Sequence, residues 1–384
     1  MMATLELIKG LQRVAEGEAR GENPAVVHSQ LLDGIQKLQA SVTTPVEKLF
    51  RMRFEICQTL CVRLAQQHDI LQSLSKDGRA TAAKLSMATG ADELLIVRIM
   101  RPLAITGVVV ELGPKQYEAN LATRFFASQG IAGGCKYYTD LIMRTGSHMG
   151  SLAAQGEVSD PFQATFGMPL FEYFQEHREY GEAFEDFMSV RQSKSSKWFD
   201  VYPVRARMEE ARTDESNVLL VDVGGGSGHW AQEFRSAMPA QEYRGRVVVQ
   251  DQPSVVSRIQ LDGVEAMAYD FFTPQPIEGA RFYLFKQVIH DWDDKKAIEI
   301  LRNTAQSMIQ DQSTLLIDDY VLPEENVGLQ ATCMDIGMMM ANGGCERTET
   351  QWQNIISAAG LKIKQFWFSG DGKEGSAGVI ECQI

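Results

Sequence analysis

Basic side chains are in short supply. The chain has 37 Lys and Arg against 50 Asp and Glu, a net charge of −13, and a sequence pI near 5.1. That balance argues against a protein built to follow phosphate backbones, although it leaves room for a local basic patch. No apolar run reaches the ~18 residues that a membrane span needs. The opening segment MMATLELIKGLQRVAEGEARGE is charged throughout and lacks the apolar region of a signal peptide. A soluble, cytoplasmic protein with no membrane partner is therefore expected. The six cysteines, Cys57, Cys61, Cys135, Cys333, Cys345 and Cys382, include no CxxC pair and have no histidine cluster beside them. They read as small buried hydrophobes in a reducing compartment, and no metal site is expected. Internal repeats and low-complexity tracts are also lacking.

The 384 residues suffice for two or three domains, and an apolar content of 44% supports a sizeable core. Residues 1–40 have helical periodicity (LLDGIQKLQA), in a segment too weak to stand alone; it should pack on something, a second subunit included. Pro45 opens the long helical stretch PVEKLFRMRFEICQTLCVRLAQQHDIL. ATAAKLSMATG and ADELLIVRIMRPLAITG read as short helices ending at Gly90 and Gly107, and VVVELGPKQYEAN as two strands about a Gly-Pro turn. This is a winged-helix pattern. A DNA-binding version would carry reading residues on its second helix. That helix sets Arg98 and Arg101 against Asp92 and Glu93, with Leu94, Leu95, Ile96, Val97 and Ile99 crowded between. It reads as a packing helix, and no nucleic-acid partner is expected.

Residues 130–212 read as helical and rich in aromatics and Met. Most of these must be core, while Phe171, Phe184 and Met188, with Met339 further along the chain, are candidates to line a largely apolar small-molecule pocket. From 216 onward strands and helices alternate: NVLLVDVG, RVVVQD, GVEAMAYD, RFYLFKQV, STLLIDDYV, LKIKQFWFS and AGVIECQI. Short apolar β-rich runs of this kind fit a buried parallel sheet covered by helices on both faces. The last two runs are joined by GDGKEGS, a hairpin-type connection that makes the final strand antiparallel. The expected domains are 1–126, 127–212 and 213–384.

LLVDVGGGSGHW follows the first strand of that sheet. Gly224, Gly226 and Gly228 stand at D-x-G-x-G-x-G spacing from Asp222. Such glycines let the backbone turn tightly and a ligand approach closely, in the crevice where open α/β sheets bind ligands. Asp251 ends the next strand, placed for two ribose hydroxyls. Dinucleotide sites share that logic but use G-x-G-x-x-G facing a pyrophosphate. A loop with an aspartate just before it suits a ligand with an amine and no pyrophosphate, such as S-adenosylmethionine (SAM). Asp270 and Phe271, ending the third strand in YDFF, suit an adenine edge and face. Further on, FYLFKQVIHDWDDKKAIEIL sets His290, one of six histidines, beside three aspartates at a strand-to-helix seam.

Taken in order, VDVGGGSG, VVVQDQP, YDFF, LFKQVIHDWDD, LLIDDYVLP and GGCERTETQW resemble the small-molecule O-methyltransferases of plants and fungi, the group that includes caffeic acid O-methyltransferase. The resemblance covers nearly the whole chain. It implies an α/β, Rossmann-like SAM-binding domain with a mostly parallel seven-stranded sheet and an antiparallel last strand, preceded by an α-helical winged-helix dimerisation domain. It implies SAM as cofactor, a small-molecule substrate and a homodimer. By the same resemblance His290 is the general base, Asp319 and Glu346 orient its ring, and Lys286 contacts the cofactor. Two positions depart from the pattern. Asp319 stands where Glu is usual and, one methylene shorter, is expected to hold the ring more loosely or through water. Arg191 and Gln192 replace a His-Ser pair, so Arg191 is either a solvated arginine or one aimed at a substrate carbonyl or enolate. The family's fungal branch also includes SAM-binding pericyclases and dehydratases that transfer no methyl group. Methyl transfer to a phenolic or enolic hydroxyl and this alternative both remain open at the level of sequence.

Overall fold

The computed structural model describes residues 2–19, 24–155, 160–194, 197–209, 217–369 and 375–384. It divides into two compact units, Met1–Ser128 and Gln129–Ile384. The expected boundary at 212/213 falls outside the described residues, as does most of the GDGKEGS connection. No helix among the described residues is long and apolar enough to cross a membrane.

In the first unit, helices Met2–Ala19 and Pro24–Val42 precede the long helix Pro45–Gln67. The long helix starts at Thr44 because a reciprocal capping box forms there. The Thr44 hydroxyl accepts from the Glu47 amide, and the Glu47 carboxylate accepts from the Thr44 amide. Strand β1 (Arg79–Thr81), helices Ala82–Thr89 and Glu93–Ile105, and the hairpin β2 (Val109–Gly113) and β3 (Gln116–Ala119) follow. They form a three-stranded sheet in the order β1-β3-β2. Helix Glu93–Ile105 buries Ile96, Val97, Ile99, Met100 and Leu103, while Arg98 and Arg101 face outward.

The second unit is built on one twisted sheet. Its strands are β4 (Val218–Val223), β5 (Arg246–Asp251), β6 (Glu265–Ala268), β7 (Phe282–Lys286), β8 (Thr314–Leu322), β9 (Arg347–Thr348), β10 (Lys362–Phe368) and β11 (Ser376–Gln383). The order is β10-β11-β8-β7-β4-β5-β6, with the two-residue β9 paired beside the end of β8. Strands β4 to β8 are mutually parallel, and β11 is antiparallel to both of its neighbours. Every residue of β4 is buried, as a continuous apolar strand covered on both faces must be. One face packs on Ile300, Leu301, Trp352 and Ile356, the other on Trp198, Ala231, Phe234 and Met238. Chain order runs outward from β4 through β5 to β6, then returns to the opposite side of β4 with β7 and β8. This reversal leaves an open crevice beyond the carboxyl ends of β4 and β7.

The segment 129–194 belongs to this second unit rather than forming one of its own. Its aromatics form a separate cluster, in which Tyr137, Leu141, Phe162 and Leu170 are buried among Phe166, Tyr173, Phe174, Tyr180 and Phe184. The cluster includes a π-helical stretch, Tyr137–Ile142.

Candidate active site

The crevice begins where β4 ends. The amides of Gly224 and Gly225 donate to the Gln250 carbonyl at 2.8 and 3.1 Å, and that of Gly226 to the Asp251 carboxylate at 2.8 Å. The loop is thereby tied to the neighbouring strand β5. Gly224 and Gly226 have φ of +71° and +57°, conformations in which side chains are strained. A Cβ on Gly225 would lie 2.6 Å from Val249 Cγ2 and 2.7 Å from Asp222 Oδ2. Gly228 is not among the residues that line the cavity. It stands at the N-terminus of helix His229–Ala237 with a φ of +76°, a conformation that favours glycine.

Asp222 is 1% exposed, and its Oδ2 has no hydrogen-bond partner. Burial, helped by the nearby Asp251, pushes its carboxyl up to about 7. The cavity above the loop measures about 1130 Å³. Asp222, Gly224, Gly226 and Asp251 line it, together with Asp270, Phe271 and Lys286. Lys286 pairs with the Asp318 carboxylate, both nearly buried, and its ammonium sits 4.6 Å from the Trp230 ring centre.

Elsewhere the same cavity is lined by Phe171, Phe184, Met188 and Arg191. Arg191 lies close to Tyr137 and Tyr138, where its charge opposes the upward push of burial on both phenols. Met339 does not line it. On helix Leu329–Asn342 the inward face is that of Met334, Gly337, Met338 and Ala341, which recur at helical spacing, and Met339 is turned about 100° from Met338. The sequence reading also passed over Tyr137, Trp230 and Asn342, all of which line the cavity. No local signal in the sequence marks Asn342, at the end of its helix, or Tyr137 in YYTD.

His290 sits on the short turn Ile289–Asp291 just past β7, 5% exposed and in the cavity wall. Its Nδ1 lies 2.9 Å from Glu346 Oε1. With Nδ1–H donated to Glu346, Nε2 is the nitrogen left to accept a proton. Asp319 Oδ1 is 3.9 Å from Nδ1 and Asp291 Oδ1 is 3.9 Å from Nε2, both beyond hydrogen-bond range. Both Asp319 oxygens are buried without a hydrogen-bond partner, so Glu346 alone among these acids bonds the ring. Burial by itself would depress the pKa of His290. The carboxylates of Asp319, Glu346 and Asp291 outweigh it and carry the imidazole up to about 10. Burial first, then the neighbouring acids, pushes Asp319 up to about 7 against the pull of His290.

A crevice at a sheet switch point, a glycine loop after the first strand and an acid at each of the next two strand ends define a class I methyltransferase site. Residues 147–362 match the family model of the O-methyltransferase domain, and the chain belongs to that family. Methyltransferase cfoC of Aspergillus candidus is 35% identical over 75% of this chain and 74% of its own length. Demethylsterigmatocystin 6-O-methyltransferase of Aspergillus flavus is 31% identical over 88% of each chain. Among solved structures, OxaC in complex with sinefungin and meleagrin superposes with a TM-score of 0.87 at 23% identity, covering 100% of this chain and 99% of that one. LepI in complex with SAM (99% of each chain) and a structure described as a pericyclic reaction enzyme (100% of each) both give 0.86 at 24% identity.

The family's methyl donor is SAM, and the residues fit it. An ammonium would supply the donor that Asp222 Oδ2 lacks and keep that carboxylate ionised. Asp251 offers its carboxylate at the end of β5, and the glycine loop leaves no side chain in the way. Asp251→Ala should weaken SAM binding at least tenfold by calorimetry, whereas His290→Ala should leave it within a factor of about two. The negative neighbours of His290 hold its pKa up by favouring imidazolium. Glu346→Gln should therefore move the His290 titration, followed by NMR of labelled histidine, to lower pH. A midpoint unchanged from wild type would contradict this assignment of charge.

Proposed function

We propose that this is a SAM-dependent O-methyltransferase of the cytoplasm that methylates a hydroxyl on a small aromatic or enolic secondary metabolite, with His290 as general base. One observation carries the reading: His290 lies in the wall of the cavity with its Nδ1 fixed by Glu346 at 2.9 Å. The arrangement leaves Nε2 to take a proton from whatever hydroxyl is bound.

SAM supplies, when bound, a methyl group on a positively charged sulfur that leaves readily. The protein must then hold the acceptor in line and make its oxygen nucleophilic. Phe171, Phe184 and Met188 offer apolar and aromatic surface for a flat acceptor. His290 accepts the hydroxyl proton at Nε2 as the oxygen attacks, and Glu346 stabilises the imidazolium through Nδ1. The surrounding carboxylates raise the basicity of His290, which suits removal of a proton from a phenol with a pKa of about 10. Only a minority of the imidazole is in its basic form at neutral pH, so turnover should climb as pH rises above 7.

Arg191 in the cavity wall favours a second reading, in which the protein is a pericyclase or dehydratase acting on a polyketide–amino-acid hybrid of pyridone or tetramic-acid type. There a charged His290 and Arg191 would polarise substrate oxygens while SAM stays intact as a fixed cation. Mass spectrometry of the protein with SAM and a panel of phenols, hydroxypyridones and tetramic-acid alcohols separates the two. A product heavier by one methylene, matched by S-adenosylhomocysteine and lost by 10²-fold or more in His290→Ala, is expected. A product of unchanged mass, or one lighter by water, with SAM unconsumed would replace the methyltransferase reading by the second.

The first unit supports a homodimer. Leu49, Phe50, Met52, Phe54, Ile56 and Leu60 on helix Pro45–Gln67 are each at least 42% exposed, and Leu5, Ile8, Leu32 and Ile35 are similarly open. A run of apolar side chains this long is seldom left to water. Sedimentation at micromolar concentration should give a dimer; a single monomeric species across that range would refute it.

A further inference from the structure

Among the described residues Arg347 is the largest charged side chain to be buried completely, with 0% exposure. Burying a guanidinium is costly, and a buried ion pair is weak evidence of a stabilising purpose. Its contacts indicate another. Nη1 donates to the Ile289 carbonyl at 3.2 Å, Nη2 to the Trp292 carbonyl at 2.7 Å, and Nε to Asp294 Oδ1 at 2.9 Å. The first two carbonyls flank His290 and Asp291. The guanidinium therefore bridges the turn that carries the candidate base.

The residues just before Arg347 grip the same turn. The Cys345 amide donates to the His290 carbonyl at 2.9 Å. A Cβ on Gly344 would meet that carbonyl oxygen at 2.2 Å and Asp291 Cα at 3.0 Å, so only glycine allows the two segments to lie this close. Glu346 holds the ring itself, and its own amide is anchored on Asp335 Oδ1 at 2.9 Å. The turn's own backbone bonds, Asp291 to Val288 and Trp292 to Ile289, are both 3.2 Å long, at the long end of the usual range. The contacts from the 344–347 segment add to them. A planar fork presents its donors to the two carbonyls in a fixed geometry, which a compact, rotatable ammonium does not reproduce.

We propose that Arg347 is a positioning residue for His290: its guanidinium ties the carbonyls of Ile289 and Trp292 together and so aims the imidazole into the cavity, while Glu346 fixes the ring's rotation. The proposal rests on the reading of His290 as the reacting base. The orientation it describes is nevertheless a property of the cofactor-free protein and can be observed without turnover.

The test uses Arg347→Lys in the full-length protein, with histidine labelled in the ring. Only six histidines are present, and His290→Ala assigns the signal. In Arg347→Lys the His290 ring resonances should shift and broaden in the absence of cofactor. SAM affinity should stay within a factor of about three, and kcat should fall 30-fold or more with little change in KM. Wild-type His290 signals and kcat in a folded Arg347→Lys protein would overturn the proposal, whatever happens to its melting temperature. If that variant does not fold, Asp294→Ala removes the 64%-exposed partner of the guanidinium. It should lower kcat several-fold and perturb the same ring signals; an unchanged kcat and spectrum would again refute the role. Should His290→Ala turn over like wild type, the base reading fails, while the ring spectra of the Arg347 and Asp294 variants still decide whether Arg347 orients it.

Discussion

One imidazole buried among three carboxylates is the constraint around which the second unit is arranged. Each buried ion costs several kcal/mol in lost hydration unless partners replace the water. The protein supplies those partners unequally. Glu346 bonds the imidazole, Asn342 donates to Asp291 at 2.8 Å, and Asp319 receives no hydrogen bond at all. The strand β8 serves two sites with consecutive residues, because successive side chains on a strand point to opposite faces. Asp318 meets Lys286 near the glycine loop, and Asp319 faces His290. Two buried acids in succession are a liability in a strand, and here each answers a different cation.

The sheet's order of strands makes this crowding achievable. Asp222, Asp251, Asp270, Lys286 and His290 come from four strand ends spread over about seventy residues, yet the reversal at β4 and β7 brings them to one edge. Their positions were legible in the sequence for a physical reason. The last residue of a buried strand is marked by the end of its apolar run, and a parallel sheet puts all such ends on one side. The helix–helix–hairpin order of the first unit was readable on similar grounds, from the glycines that close its helices and the turn between its strands.

What was not legible lies on helices and in loops whose orientation is decided by distant packing. Helix Leu329–Asn342 holds a run of three methionines, and no local signal says that Met338 faces the cavity while Met339 turns away. Gly228 fits a ligand-loop pattern by spacing, but its φ of +76° calls for glycine in any case. Tyr137 opens a π-helical stretch, and no local signal says that it faces the cavity. Arg347 follows a motif residue and would pass as a surface charge; only the fold places three acceptors around it.

The shortened acid at 319 bears on which acceptors this site can serve. A glutamate there would carry its carboxylate one methylene further toward the ring. With aspartate, the 3.9 Å gap leaves Glu346 as the bonded partner, while Asp319 contributes only its field. That field is strong when Asp319 is ionised and vanishes when it is protonated, and burial holds its pKa up to about 7. On the methyl-transfer reading, a neutral Asp319 would weaken His290 as a base and restrict it to acidic phenols and enols. An ionised Asp319 would carry it to ordinary phenols with pKa values of about 10. On that reading the strength of the base depends on the charge of a residue that does not bond the ring.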